Sequence, residues 1–230
     1  REDDMAFSHP RTPTVQNLEA VISGKECLGY KQDIASATMQ FDKLMPQFLR
    51  NPIVDGVPIE SNDKIEGFTV VGADNWYDIE HQTVNYYRQT SIENTIPVRN
   101  VRSVGNNYTV FATETFIDEV SQEIEVDPMA FRLNYLKGIG VNSGSNTPMS
   151  YAGGKRLANV LKIASGLANY GIGNLSENEG LGIAITGAEN RWAPCFLALI
   201  ANLKVDKSSA AINVKKLTCV LDVGIAINPE

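Results

Sequence analysis

Alternation of apolar and polar residues predicts a hairpin near the start of the chain. Residues 13–40 alternate on either side of the turn sequence Ser23–Glu26, and a period of two is that of a strand with one buried face. Further short strands are expected at Phe68–Val71 and at Val84–Tyr87. Prolines and polar residues dominate from Leu44 to Lys64, which indicates an excursion on the surface.

Helical spacing of apolar residues predicts three helices farther along. The first begins after residue 105, and its apolar positions are Val110, Ile117, Val120 and Ile124, flanked by Phe111 and Phe116. Asp127-Pro128 is a second start signal, because aspartate caps helices and proline is tolerated in the first turn, so residues 129–137 should be helical. The third helix is predicted by Leu157, Val160, Leu161, Ala164, Leu167 and Ala168.

The last part of the chain has the pattern of a β-sheet. Strand-like runs occur at 181–186, 196–205 and 212–223, and Lys207–Ala210 is a plausible hairpin connection between the last two. Together with the helices, these runs predict an α+β fold in which helices pack on mixed sheets.

A break in composition suggests the domain organisation. Residues 138–154 contain five glycines together with serine, asparagine and proline. We interpret residues 139–154 as a linker between two domains, one comprising residues 1–138 and the other residues 155–230.

Composition excludes several classes of protein. A hydrophobic content of 43% and a charged content of 20% are those of a globular protein. The net charge of −7 argues against nucleic acid as a partner, because binding to phosphate backbones needs clustered lysine and arginine. The sequence has no run of eighteen apolar residues and no visible targeting signal, so a periplasmic and a cytoplasmic location both stay open.

Cysteine and histidine are too few and too scattered for a metal centre. The chain has three cysteines and two histidines without C-x-x-C or H-x-x-x-H spacing. An iron–sulfur cluster needs about four thiolates, and a structural zinc ion needs four nitrogen or sulfur ligands. Any redox relay must therefore lie on another chain.

The loop before the first predicted helix carries the most informative residues: Arg102, Ser103, Val104 and Gly105. An arginine of buried type in such a loop offers planar, always-charged donors to the oxygens of an anionic ligand such as a phosphate group. The alternative is an ion pair with a nearby acid such as Glu114. Gly105 is expected to supply a backbone conformation that a Cβ would obstruct.

Three acids follow on the helix: Glu114, Asp118 and Glu119. Glu114 and Asp118 are four residues apart and share a face, so they could act as paired carboxylates. We favour the simpler interpretation, in which these acids are solvated or paired with arginine.

The segment from Arg102 to Glu119 resembles the molybdenum hydroxylase family, whose corresponding run reads R-S-V-G, a spacer, then F-A-x-E-S-F-I-D-E. It is most similar to the molybdopterin-binding large subunits of the isoquinoline 1-oxidoreductase and aldehyde dehydrogenase β-subunit branch. Arg1–Met5, Asp74–Ile79 and Asp222–Pro229 resemble further family segments. The glycine-rich cofactor loop and the glutamate base of the family have no counterpart, so we expect the catalytic base to lie outside these residues.

The resemblance implies roles for the loop. Arg102, Ser103 and Gly105 would contact a molybdenum–molybdopterin cofactor, in its cytosine dinucleotide form. Val104 would line the substrate pocket, at a position that is aromatic in the purine-oxidising members. Glu66-Gly67 stands where those members carry a substrate-anchoring arginine, which favours a less polar substrate.

The implied function is hydroxylation of an aldehyde or N-heteroaromatic substrate with water as the oxygen source. The implied partners are the remaining segments of the large subunit and a small subunit with 2Fe-2S clusters, and the chain is expected to be poorly soluble alone. One alternative is a scaffold piece or split-subunit polypeptide with no activity of its own. Another is an independent binding module that uses the glycine-rich residues 138–154, for which the sequence contains no motif.

Overall fold

A computed structural model describes residues 10–37, 53–54, 57–58, 69–73, 75–96, 98, 101–138, 153–173, 175–190 and 193–227. The strands are β1 (Thr14–Ser23), β2 (Glu26–Ser36), β3 (Ile53–Val54), β4 (Val57–Pro58), β5 (His81–Arg88), β6 (Glu179–Asn190), β7 (Ala193–Asp206) and β8 (Ala211–Asp222). The helices are α1 (Thr90–Thr95), α2 (Asn106–Glu123), α3 (Pro128–Tyr135) and α4 (Gly153–Ala168). Helices and separate sheets give an α+β fold, as predicted.

The strands form sheets of order β1-β2-β5, β3-β4 and β6-β7-β8. A two-residue turn at Gly24-Lys25 joins β1 to β2, with Gly24 at a φ of 58°. This confirms the predicted hairpin, and burial in β2 alternates through Gln32, Ile34 and Ser36. The strand predicted at Val84–Tyr87 is also confirmed, as part of β5.

Two predicted elements needed correction, and one helix had not been predicted. The described part of the Phe68–Val71 segment is a turn, in which Ala73 N–H donates to Val70 O at 3.0 Å. The predicted 129–137 helix runs from Pro128 to Tyr135, because Asp127 Oδ1 accepts the N–H groups of Met129 and Ala130 at 3.0 and 2.9 Å. Helix α1 was not predicted.

By its contacts the chain divides into two units. Among the described residues, unit 1 comprises those within Arg1–Glu19, Lys31–Ala73 and Thr83–Ala112. Unit 2 comprises those within Ala20–Tyr30, Asp74–Gln82 and Thr113–Glu230. The predicted linker, residues 139–154, lies outside the described residues except for Gly153 and Gly154, which begin α4. The predicted division into domains at that linker stays a prediction.

Unit 1 gathers segments around the start of α2. Tyr108 of α2 is buried, and its hydroxyl donates to Thr69 O. Thr109 Oγ1 lies 2.8 Å from Val71 O and 2.9 Å from Gly105 O. Gly72 has a φ of 87°, and a Cβ there would collide with Asn106 and Thr109, so only glycine allows this close approach. These contacts fix the first turn of α2.

Unit 2 is a helix packed on an antiparallel sheet. Strands β6, β7 and β8 pair antiparallel, and a β-bulge interrupts the β7–β8 register at Asn202/Leu203. Helix α4 packs on this sheet mainly through β7. Its buried residues Leu157, Val160, Leu161 and Ala164 recur at helical spacing, as predicted, whereas Leu167 is largely exposed. The buried face of the sheet consists of Ile183, Ile185, Phe196, Ala198 and Ile200.

Aromatic side chains extend the core of unit 2. The Trp76 and Phe196 rings meet edge to face at 5.2 Å, and Trp76 Nε1 donates to Gly187 O at 3.2 Å. Tyr77 is almost fully buried. Trp76 and Tyr77 are therefore core residues of unit 2.

Candidate functional site

The backbone of the loop Val101–Gly105 follows an unusual path. Val104 N–H donates to Val101 O at 2.8 Å, which closes a tight turn. The next two residues after Arg102 are both left-handed, Ser103 with a φ of 72° and Val104 with a φ of 47°. A β-branched residue such as valine rarely adopts this conformation.

This left-handed pair corrects the expectation for Gly105. The positive φ angles fall on Ser103 and Val104, and Gly105 is not among the described glycines of positive φ. Gly105 instead begins α2, because its carbonyl oxygen accepts the N–H groups of Tyr108 and Thr109, both at 3.1 Å. Left-handed non-glycine residues cost roughly 1–3 kcal/mol each and concentrate at functional sites. The loop is therefore a strained segment fixed to a well-held helix start.

The Arg102 side chain points to solvent. The sequence suggested an arginine of buried type, but Arg102 and Ser103 are exposed, Val104 is half-buried and Gly105 is buried. Within the described part of the chain, the Arg102 guanidinium makes no hydrogen bond and no ion pair. Its donors thus remain available for a ligand.

The predicted alternative partner of Arg102 is occupied elsewhere. Glu114 Oε2 accepts from Arg132 Nε at 3.1 Å and from Ile185 N–H at 2.9 Å. Its other oxygen, Oε1, accepts from the Tyr77 hydroxyl at 2.7 Å. A carboxylate with these three donors is satisfied within unit 2. The alternative in which Arg102 pairs with Glu114 is therefore wrong for this structure.

Arg132 is the centre of this buried cluster. Its side chain is fully buried and also contacts Asp118 Oδ1 at 2.7 Å. Further bonds run from its Nη atoms to the carbonyl oxygens of Pro128, Glu114 and Ile183, each at 3.2 Å. The cluster joins α2, α3 and β6 within unit 2. The sequence contained a signal for it, since two acids four residues apart on one helix precede an arginine among apolar residues of the next.

Burial sets the protonation of this cluster. Burial raises the pKa of Tyr77 well above its usual value, so the phenol stays a neutral donor to Glu114. Burial also raises the pKa of the Glu114 carboxyl, whereas the Arg132 charge and the hydrogen bonds from Tyr77 and Ile185 oppose that rise. Because every oxygen of Glu114 is bonded inside the protein, the cluster is structural. The interpretation of Glu114 and Asp118 as arginine-paired acids is confirmed, and Glu119 is exposed.

One polar atom beside the loop lacks a partner. Asn106 Oδ1, at the first residue of α2, is buried and makes no hydrogen bond within the described part of the chain. A buried amide oxygen of this kind ordinarily accepts a hydrogen bond. Asn106 Oδ1 lies against Gly72, so the groups of the loop that can meet a ligand are the Arg102 donors and the exposed Ser103 hydroxyl, which suit phosphate and pterin oxygens.

The described side chains form no metal centre. No group of three or more histidine, cysteine, aspartate or glutamate residues in that part of the chain could hold an ion. His9 lies outside the described residues, and His81 is exposed, 3.7 Å from Glu80. No described helix is long and apolar enough to cross a membrane.

Comparison with known proteins shows what parts of other proteins this chain is similar to. Residues 55–136, which include the whole loop, match a family described as the molybdopterin cofactor-binding domain. The chain is 30% identical over its full length to a protein named membrane-bound aldehyde dehydrogenase [pyrroloquinoline-quinone] from Gluconacetobacter polyoxogenes, covering 29% of that protein. It is 22% identical to isoquinoline 1-oxidoreductase subunit beta from Brevundimonas diminuta, covering 100% of the chain and 26% of that protein.

Among solved structures, the aldehyde oxidoreductase from Desulfovibrio desulfuricans matches with a TM-score of 0.41 and 14% identity, covering 89% of this chain and 21% of that one. The chain spans 29% and 26% of the length of the two curated relatives. The resemblance seen in the sequence is thus confirmed for a partial segment: residues 55–136 match the molybdopterin cofactor-binding domain, and the whole chain is similar to part of an aldehyde dehydrogenase and part of an isoquinoline 1-oxidoreductase subunit.

Proposed function

We propose that this chain is the cofactor-holding segment of a molybdenum-dependent oxidoreductase that hydroxylates an aldehyde or N-heteroaromatic substrate. The observation that carries the proposal is that the molybdopterin-domain match includes a strained loop with an unpartnered, exposed arginine. Strained loops held on a firm scaffold are where binding residues concentrate.

Arg102, Ser103 and Gly105 are the residues that we assign to the cofactor. The Arg102 guanidinium offers planar, charged donors that suit phosphate and pterin oxygens, and the Ser103 hydroxyl adds a donor beside it. Gly105 lets the backbone approach closely where the loop enters α2. When bound, the cofactor would supply the two-electron oxidation in which water provides the oxygen atom. The cytosine dinucleotide form is part of this proposal.

Val104 is assigned to the substrate pocket. Its side chain is half-buried and aliphatic, which suits an apolar aldehyde or a heteroaromatic ring. We assign no general base to the described residues, because the buried Glu114 carboxylate is already bonded to Arg132, Tyr77 and Ile185. The base belongs in the remainder of the enzyme.

Two partners complete the proposal. Three cysteines are too few for an iron–sulfur cluster, so electrons would leave through 2Fe-2S clusters on a small partner subunit. The name of the Brevundimonas relative, a subunit beta, supports a multi-subunit assembly. The remaining segments of the large subunit are the other partner, since the relatives are more than three times longer than this chain.

Two competing functions follow from specific observations. The name of the Gluconacetobacter relative specifies pyrroloquinoline quinone, which would make this chain part of a quinone-dependent aldehyde dehydrogenase. The segment could also act as a scaffold piece or split-subunit polypeptide with no activity of its own, since it spans less than a third of the length of its curated relatives. The cofactor content of the native protein separates the quinone-dependent function from the proposed one, and the effect of Arg102→Ala on cofactor loading separates the scaffold role from it.

The test is to purify the complete native protein and identify its metals and organic cofactors by mass spectrometry. We expect about one molybdenum and one pterin dinucleotide per copy of this chain, with iron and labile sulfide on a separate small subunit. The same preparation should oxidise an aldehyde or isoquinoline and incorporate oxygen from labelled water. Pyrroloquinoline quinone without molybdenum, or neither cofactor, would overturn the proposal.

A further inference from the structure

The guanidinium of Arg11 reaches the loop from the segment just before β1. Arg11 Nη1 donates to Val104 O at 3.2 Å, and Arg11 Nη2 donates to Arg102 O at 3.1 Å. The two accepting carbonyl oxygens lie on either side of Ser103, the first left-handed residue. All of these residues belong to unit 1. A single side chain thus bridges both ends of the strained part of the loop.

This geometry fixes the backbone of the loop more firmly than two separate donors could. The guanidinium is planar, and its Nη donors keep a fixed separation and direction. When both donate, the carbonyl groups of Arg102 and Val104 are held in one relative orientation. Two consecutive left-handed residues persist only where their surroundings over-determine them. Arg11 supplies that constraint for Ser103 and Val104.

The helix start beneath the loop has contacts of its own. Gln16 Nε2 donates to Tyr108 O at 3.0 Å, and Gln32 Nε2 donates to Gln16 Oε1 at 2.7 Å. The Tyr108 hydroxyl and Thr109 Oγ1 bind the carbonyl oxygens of Thr69 and Val71. None of these bonds involves Arg11. Loss of Arg11 therefore releases the loop and leaves the first turn of α2 in place.

We propose that Arg11 is a positioning residue for the cofactor: it holds the left-handed loop and thereby sets the direction in which the Arg102 guanidinium projects. This inference rests on the proposed function, because it requires that Arg102 binds a cofactor. The Nη atoms of Arg11 donate to the loop carbonyl oxygens, so Arg11 does not contact the cofactor and acts on it only by orienting Arg102.

The test is cofactor loading of the complete protein in a host grown at limiting molybdate. Arg11→Gln should lower the molybdenum and pterin content per protein by about tenfold. This factor corresponds to the strain energy of one left-handed residue that is no longer held in its conformation. Arg11→Lys should restore part of the loading, because an ammonium group is a point donor and does not reproduce the planar fork. If Arg11→Gln does not accumulate in soluble form, Arg11→Lys replaces it in the comparisons below.

Arg156→Gln is the matched control. Arg156 is another partly buried arginine with two side-chain hydrogen bonds, from Nε and Nη2 to Asp222 at 2.7 and 2.6 Å in unit 2. It should change the melting temperature at least as much as Arg11→Gln does, with no change in loading. A fall in loading that is the same in both variants would show a general structural effect and would overturn the inference.

A double-mutant cycle with Arg102→Ala separates positioning from stability. If Arg11 acts through Arg102, adding Arg11→Gln to Arg102→Ala should lower loading no further. Suppose that Arg102→Ala lowers loading. Additive losses in the double variant, or full loading in Arg11→Gln, would then overturn the inference and leave the proposed function standing. If the protein contains no molybdenum or pterin, or if Arg102→Ala does not change cofactor loading, the proposed function and this inference are overturned together.

Discussion

Replacing Arg132 by methionine is expected to lower the free energy of unfolding by about 3–5 kcal/mol, the usual effect of removing one partner of a buried ion pair. The arginine side chain is fully buried, and its loss leaves the buried Glu114 carboxylate without its counter-charge. The carbonyl oxygens of Glu114, Pro128 and Ile183 lose a donor as well. Methionine replaces only the aliphatic part of the arginine side chain, so the effect includes the space that the guanidinium group leaves as well as the lost bonds.

Urea unfolding followed by fluorescence measures this change, since Trp76 lies in the same unit. Arg156→Met is the control, because the Arg156–Asp222 pair is about 30% exposed and should contribute no more than about 1 kcal/mol. Arg132→Lys should be intermediate, because it keeps the charge and loses the planar fork. A loss of less than about 1 kcal/mol in Arg132→Met would show that the cluster does not hold unit 2 together.

Replacing Arg102 by alanine is expected to lower cofactor affinity about ten- to a hundred-fold, since a hydrogen bond to a charged group contributes roughly 1.5–3 kcal/mol. The melting temperature of the cofactor-free protein should stay unchanged, because the side chain is exposed and unpartnered in the described part of the chain. Arg102→Lys should rescue only part of the loss.

Molybdenum content, turnover per molybdenum and melting temperature are measured together on the same preparations. Lys25→Ala is a control, because it removes a surface charge at the exposed turn of the β1–β2 hairpin, far from Arg102 in the sequence. Wild-type molybdenum content and turnover in Arg102→Ala would contradict the assignment of Arg102 to the cofactor. A fall in melting temperature with unchanged content would show instead that Arg102 has a structural partner.

Short-range patterns were enough to predict most of the elements. Alternation gave the β1–β2 hairpin, and Asp127-Pro128 gave the start of α3, because both signals act through neighbouring backbone groups. Phe68–Val71 has the apolar content of a strand, yet its described residues form a turn whose carbonyl oxygens bind the side chains of Tyr108 and Thr109. Those partners are almost forty residues away, so no local pattern could reveal them.

The candidate site shows the same limit. The resemblance located the loop, but it did not indicate which residues would be left-handed, since the conformation of Ser103 and Val104 depends on the Arg11 guanidinium ninety residues earlier. Likewise, Glu114 was recognised as a possible partner for an arginine, and the partner proved to be Arg132 rather than Arg102. Charge and spacing identify candidates for a pair, whereas tertiary packing selects among them.

The most direct measurement of the central claim is a crystal structure of the complete native protein with its own cofactor. The account predicts a guanidinium nitrogen of Arg102 about 2.7–3.2 Å from an oxygen of a molybdopterin cofactor. It also predicts that Ser103 and Val104 keep their left-handed conformation and that Arg11 still binds the carbonyl oxygens on either side of Ser103. A bound cofactor that lies out of hydrogen-bonding reach of Arg102 and of the Ser103 hydroxyl would contradict it.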